Sequence, residues 1–314
     1  MERSQRTVLV TGANGFVGRH LAAGLERDGW AVRRAVRNLS GLANESMIES
    51  IGPGTNWDEA LRGVDAVVHL AARVHQRNDR GAERLYHEVN AEGTLHLARR
   101  AAAAGARHFI FASTVLVYGR SNDGRPPFKE EDTLTPLGFY GSSKAEAEAG
   151  LKSLAQDQQM GITVVRPPLV YGLGAKGNFA SLIKAVKIGL PLPLAAIRNQ
   201  RAFVSVQNLS SFVAFCLAKP ASGFEVFLVA DNEQVSTPEF VRRLAAAAGT
   251  QAKLFAMPSP LLSGLLGLAG LSSARESLIG SLQLDVSKAH ATGWHPPFSL
   301  DEGLQLALHG TDTN

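Results

Sequence analysis

The sequence predicts a doubly wound α/β protein, a parallel sheet with helices on both faces followed by a smaller carboxyl-terminal lobe. Three observations carry that expectation. Short apolar runs alternate with helical patterns through the first half of the chain. The runs VLV, AVVHL and FIF are apolar nearly throughout, as strands buried on both faces must be. Three glycines, Gly12, Gly15 and Gly18, stand between the first run and the helical pattern after it.

Taken in order, Thr7–Val10 is the first strand and Phe16–Asp28 is the helix that the glycines open. Ala31–Val36 is the second strand, followed by a short helical turn at Asp58–Leu61 and a strand at Ala66–Leu70. Arg84–Ala104 is a long helix, and its Ala101–Ala104 run is simply strong helix-forming sequence. His108–Ala112 and Ile162–Val165 are strands on either side of a helix at Ser142–Gln159. After Arg166 the texture changes, because Pro167, Pro168, Pro191 and Pro193 break the chain into shorter elements. Phe224–Val229 still reads as a strand that returns to the first sheet.

Composition narrows the classes. A chain of 314 residues, 45% hydrophobic, can bury a large core and fill two lobes. Its one cysteine, Cys216, excludes an internal disulfide and fits a reducing compartment. Met1–Arg6 is polar and Thr7–Val10 too short for a secretion core, so a cytoplasmic protein is expected. Leu261–Leu271 falls well short of the roughly 20 apolar residues a membrane span needs. The net charge of +4, with no basic tract and no zinc pattern, points away from nucleic acid.

Glycines that close a strand and open a helix mark the place where an open α/β sheet binds a nucleotide. Gly12 permits a tight turn, Gly15 lets backbone N–H groups approach a pyrophosphate, and Gly18 lets helix and strand pack closely. Residues 1–166 are thus expected to form a dinucleotide-binding Rossmann domain, rejoined near 202–230, with the substrate lobe over 167–314. The spacing is GxxGxxG rather than GxGxxG, which narrows the class.

Further landmarks follow in sequence: TGANGFVG at 11–18, HLAA at 69–72, VNAEGT around Asn90, FASTVLVYG at 111–119 and YGSSK at 140–144. RPPLVYG at 166–172 and RAFVSVQNL at 201–209 complete them. With these, nearly the whole chain resembles the extended short-chain dehydrogenase/reductase superfamily, the nucleotide-sugar epimerases and reductases. The resemblance implies cofactor contacts from Gly12, Asn14, Gly15, Phe16, Val17 and Gly18. It implies others from Arg37, Ser50, Ile51, Leu70, Ala71, Ala72 and Asn90, and no metal. It places catalysis on Thr114, Tyr140 and Lys144, the last two also touching the cofactor. Substrate contacts fall to Ser113, Thr114, Asn178 and Arg201, with Arg275 a second phosphate-binding candidate.

The residues themselves suit that chemistry. Four positions apart on a helix, Tyr140 and Lys144 share a face. Tyrosine is a poor base near pH 7 unless a nearby cation stabilises its phenolate, which Lys144 would do. Thr114 is preferred to its neighbour Ser113 as the hydroxyl on the reacting oxygen, on motif alignment. Relatives that eliminate water carry an aspartate and a glutamate just after that hydroxyl. Val115 and Leu116 stand there and cannot exchange a proton, which leaves reversible redox at one sugar carbon. His69 is read as a strand residue whose backbone nears the cofactor, and His75 as a loop residue within reach of substrate or solvent. Lys176, like Asn178 and Arg201, is a candidate for the UDP pyrophosphate and uracil or for a surface salt bridge.

Arg37 ends the second strand, with no carboxylate nearby until Glu45, so NADP is preferred and NAD stays open. Relatives often carry an aspartate before the adenine-contacting residue, and here Ser50 and Ile51 stand in its place. The resulting reading is a 4-keto-sugar reductase acting on a UDP-4-keto-6-deoxy-HexNAc for polysaccharide or O-antigen precursors. A 4-epimerase of UDP-glucose or a UDP-HexNAc with retained NAD is the alternative. A cofactor-binding sensor without catalysis is remote, since Tyr140 and Lys144 both stand. PSPLLSGLLGLAGL, residues 258–271, is read as a core or dimer helix rather than a membrane-surface helix, and a homodimer is left open.

Overall fold

A computed structural model describes residues 5–74, 82–268 and 278–310; His75 and Arg275 lie outside them. The chain forms two compact units. The first comprises Met1–Tyr118, Thr133–Arg166 and Ser210–Phe227, and the second Gly119–Asp132, Pro167–Leu209 and Leu228–Asn314.

The first unit is the doubly wound domain. Its strands are β1 (Thr7–Thr11), β2 (Ala31–Val36), β3 (Glu45–Met47), β4 (Ala66–His69), β5 (His108–Ala112) and β6 (Gly161–Arg166). With β9 (Phe224–Leu228) they make one seven-stranded sheet in the order β3-β2-β1-β4-β5-β6-β9. The pairs from β3 through β6 are parallel. The strand order reverses at β1, between β2 and β4, and the carboxyl edge there is where such sheets take ligands.

Helices α1 (Phe16–Arg27) and α2 (Asp58–Leu61) follow the first strands. Leu9, Val67, Phe109 and Val164 pack under Leu97, Ala101, Ala147 and Leu151, so both the sheet and the helices above it are fully buried at the seam.

Three departures from the expected elements have local causes. The edge strand β3 reads only ESM, too short and polar for a periodicity, yet it pairs Glu45 with Arg34. The long helix is α3 (Ala82–Tyr86), a π-helical segment His87–Glu92 and α4 (Gly93–Ala103), with Asn90 inside the wide turn. Such turns recur at functional sites. Helix α5 (Gly138–Asp157) begins four residues before the expected Ser142, after a turn in which Gly138 takes φ of 74°. Tyr140 therefore stands in the helix rather than in the loop before it.

The second unit carries β7 (Leu169–Tyr171) paired with β8 (Phe203–Ser205), and helices α6 (Asn178–Lys187), α8 (Thr237–Ala247) and α9 (Ser259–Leu268). Helix α7 (Val206–Ala218) leads from β8 into the first unit's residues. Phe203 stacks on Phe240 at 4.0 Å between ring centres, within a core that includes Tyr171, Phe179 and Leu244. Leu262 of α9 joins that core while Leu261 is exposed. Among the described residues no helix is long and apolar enough to cross a membrane.

Candidate active site

A trough of about 660 Å³ runs along the carboxyl edge of the sheet at the strand-order reversal. Gly12, Asn14 and Gly15 form its floor, and Arg37, Ser50, Ile51, Leu70, Ala71 and Ala72 its walls. Gly12 has φ of 70°, and a Cβ there would lie 2.9 Å from the Ala71 amide, so the turns after β1 and β4 touch. The Gly15 N–H donates to Gly12 O at 2.9 Å, and Gly15 then caps α1 with no side chain occupying the helix's first N–H groups. Uncapped donors at the end of an elongated groove fit a dinucleotide with its pyrophosphate at α1.

Phe16, Val17 and Gly18 stand outside the lining and build the first turn of α1. Among the wall residues that reading by position missed, three are polar: Asn38, Arg73 and Glu49. Glu49 matters most, because it puts a carboxylate on the same trough as Arg37.

Behind the trough runs a buried polar path. The Thr94 hydroxyl donates to Asn90 O at 2.7 Å, so it must accept from His69 Nε2 at 2.9 Å. That fixes the proton on Nε2 and leaves Nδ1 to accept from the Thr11 hydroxyl at 2.7 Å. Thr11 Oγ1 accepts in turn from the Ala71 N–H at 3.2 Å. The Asn90 amide holds both backbone groups of Arg73, accepting at 2.7 Å and donating at 3.1 Å. It also donates to Ser143 Oγ at 3.0 Å, and that hydroxyl donates to Tyr140 O at 3.0 Å. His69 is thus held through its ring, and neither it nor Asn90 lines the trough; Asn90 lies behind the wall rather than on it.

Burial lowers His69 to about 3, with Lys144 adding to the effect, and lowers His108 to about 4. Both imidazoles are therefore neutral in the fold, whereas in the unfolded chain they take up protons below about pH 6.5. Stability is fully present above that pH and falls as the pH drops towards 4. Each histidine contributes up to about 1.4 kcal/mol per pH unit. Urea midpoints measured from pH 7 to 5 should fall steadily, and a flat profile would contradict the assignment. His87, exposed and raised by its bond to Glu146, works weakly in the opposite sense.

Lys144 is buried on α5, and its ammonium donates to Ala112 O at 2.7 Å and lies 4.3 Å from the centre of the Phe111 ring. The Tyr140 ring centre is 6.0 Å from Nζ. Desolvation lowers Lys144 to about 7, against the pull of Glu148, and burial followed by Tyr86 raises Tyr140 to about 12. The phenol consequently holds its proton in this state. Thr114 begins the turn of 3-10 helix at Val115–Tyr118, and its Oγ1 accepts from the Leu116 N–H at 3.2 Å. That turn packs on the start of α5, since a Cβ on Gly141 would lie 2.9 Å from Leu116 O. The Ser113 hydroxyl instead donates to the buried Glu148 carboxylate.

The candidate substrate residues Asn178 and Arg201 belong to the second unit. Asn178 is exposed at the first position of α6, and Lys176 is exposed in the loop before it. Arg201 is only 8% exposed, donates to Gly280 O at 2.6 Å and is lowered to about 10 by burial, partly offset by Asp123.

A dinucleotide trough at the sheet's switch point, with a tyrosine and a lysine on one helix face beside it, defines an enzyme of the extended short-chain dehydrogenase/reductase class. Residues 8–230 match the NAD dependent epimerase/dehydratase family, and the chain belongs to it. A UDP-glucose 4-epimerase of Vibrio cholerae is 40% identical over 96% of this chain and 94% of its own length. The N-acetyl-alpha-D-glucosaminyl-diphospho-ditrans,octacis-undecaprenol 4-epimerase of Escherichia coli O157:H7 is 29% identical over the same shares, 96% and 94%. The crystal structure of the UDP-N-acetylglucosamine 4-epimerase from Bacillus cereus superposes with a TM-score of 0.80 at 19% identity, covering 98% of this chain and 100% of that one.

Proposed function

We propose that this enzyme moves a hydride off and onto C4 of a UDP-linked sugar, without eliminating water. The observation that carries this is the pair after Thr114: Val115, buried, and Leu116 offer no proton-transfer group where elimination would need two. A nicotinamide dinucleotide held by Gly12, Gly15 and Arg37 would supply the hydride acceptor and donor. Tyr140 takes the C4 hydroxyl proton as C4 is oxidised and returns it on reduction. Thr114, whose hydroxyl is not committed to Glu148 as that of Ser113 is, orients the reacting oxygen. Lys144 supplies the positive field that makes the phenolate accessible.

Of the two outcomes this machinery allows, 4-epimerisation is supported by the relative at 40% identity. Reduction of a 4-keto sugar by NADPH is the second reading, favoured by Arg37 at the trough wall. The test incubates the protein with UDP-glucose or UDP-N-acetylglucosamine and no added dinucleotide, then with a UDP-4-keto-6-deoxy sugar and NADPH. Epimer without added cofactor supports the first reading; NADPH oxidation only with the keto sugar supports the second. A 4-keto-6-deoxy product from a UDP-hexose would overturn both.

Arg37 also supports NADP over NAD, because a guanidinium pairs with a 2′-phosphate that a carboxylate repels. A charged hydrogen bond contributes roughly 1.5–3 kcal/mol, so Arg37→Ala should weaken NADPH about ten- to a hundredfold. NADH, which lacks the phosphate, should bind as before. Paired fluorescence titrations decide it, and equal weakening of both cofactors would reduce Arg37 to a support for the loop. A preference for NADH in the unaltered protein would instead give the deciding role to Glu49.

A further inference from the structure

Tyr140, Lys144 and Glu148 follow one another at four-residue steps on α5 and so lie along one face. Glu148 and Arg166 of β6 are each 4% exposed. The guanidinium Nε donates to both carboxylate oxygens at 3.1 Å, and Nη2 donates to Oε2 as well. Ser113 Oγ donates to the same carboxylate, and Arg166 Nη1 donates to the Tyr118 hydroxyl. Ser113 and Tyr118 bracket the turn that starts at Thr114: one precedes it directly, the other closes it.

A buried ion pair is a poor source of stability, since apolar side chains of similar volume serve as well or better. This pair joins the two ends of the Thr114 turn to the helix face that carries Tyr140 and Lys144. We infer that Glu148 is a positioning residue, whose carboxylate clamps the Thr114 turn against the Tyr140–Lys144 face. The inference rests on the C4 hydride reading given above. Around Lys144 stand His69 on β4, the Phe111 ring and Ala112 O on β5, and Tyr140 and Glu148 on its own helix. Of these Glu148 is the anion, so it also favours the charged form of Lys144, against the desolvation that opposes it.

The test compares Glu148→Gln with the double variant Glu148→Gln/Arg166→Met. The single change leaves Arg166 buried without its anion, so it lowers stability; the double change removes both charges and restores it. Turnover should fall about ten- to a hundredfold in both, as small misplacements of reacting groups do, while KM and dinucleotide affinity change little. Lys144, followed by NMR in the dinucleotide-free protein, should titrate about one pH unit lower in the single variant. Recovery of turnover together with stability in the double variant overturns the inference, as does unchanged turnover in Glu148→Gln. Inactivity of the unaltered protein on every UDP-sugar would overturn the functional reading instead. The clamp would then be judged by the Thr114 amide shift and the Lys144 titration, and no movement of either in Glu148→Gln would refute it.

Discussion

Tyr140→Phe should lower turnover by about 10²–10⁴-fold, the range for loss of a positioned acid–base group, and leave dinucleotide binding close to normal. Phenylalanine keeps the ring, so packing near Tyr86 and the distance of 6.0 Å from the ring centre to Lys144 Nζ are preserved. Only the oxygen goes. The trough walls do not include Tyr140, so the bulk of the dinucleotide contacts are untouched. With its proton held up to about pH 12 in the free protein, the phenol is poised to donate to a keto sugar. The reverse direction needs the phenolate, which the field of Lys144 favours. The defect should therefore appear in both directions of the C4 reaction, measured as turnover at saturating substrate, while cofactor titrations match those of the unaltered protein. Turnover within a fewfold of normal would take Tyr140 out of the mechanism.

Much of this site was legible in the sequence because it is local. Strand, glycine turn and helix occupy one stretch from Thr7 to Arg27, and Tyr140 and Lys144 sit within one helical turn, so spacing alone predicts their shared face. What escaped was built from distant residues. Thr11, His69 and Thr94 meet across 58 and 25 positions, and no periodicity links them. The bond that commits the Ser113 hydroxyl to Glu148, 35 residues away, was equally out of reach, and that carboxylate is in turn held by Arg166 in a different strand. Glu49 was hidden for a related reason: it follows an edge strand of three residues whose existence depends on pairing with β2. The start of α5 was misplaced because Gly138, at φ of 74°, makes the turn that the expected boundary assigned to later residues.

Gly18→Ala should destabilise the protein and weaken dinucleotide binding, although it adds only a methyl group to a helix. Conformational freedom is not the issue, since Gly18 lies within α1 at an ordinary backbone conformation. Contact is. A Cβ there would sit 2.1 Å from Gly12 O, 2.7 Å from Ala13 Cα and 2.8 Å from Gly12 C. All three are backbone atoms of the turn that forms the trough floor, so no side-chain rotation relieves the clash. Helix α1 must back away from the turn, and overpacking of this kind costs about 1–3 kcal/mol, sometimes more. The same displacement moves the uncapped N–H groups of α1 from the pyrophosphate position, so affinity should fall about ten- to a hundredfold for each charged hydrogen bond lost. Gly24→Ala is the internal control. It lies on the same helix with Arg27 Nη2, 3.9 Å away, as the nearest atom a Cβ would meet. That substitution should stabilise by about 0.4–1 kcal/mol and leave binding intact. Urea midpoints and dinucleotide titrations on the two variants separate helix propensity from contact. If Gly18→Ala behaved like Gly24→Ala in both measurements, the close approach of α1 to the turn would not be what shapes the dinucleotide site.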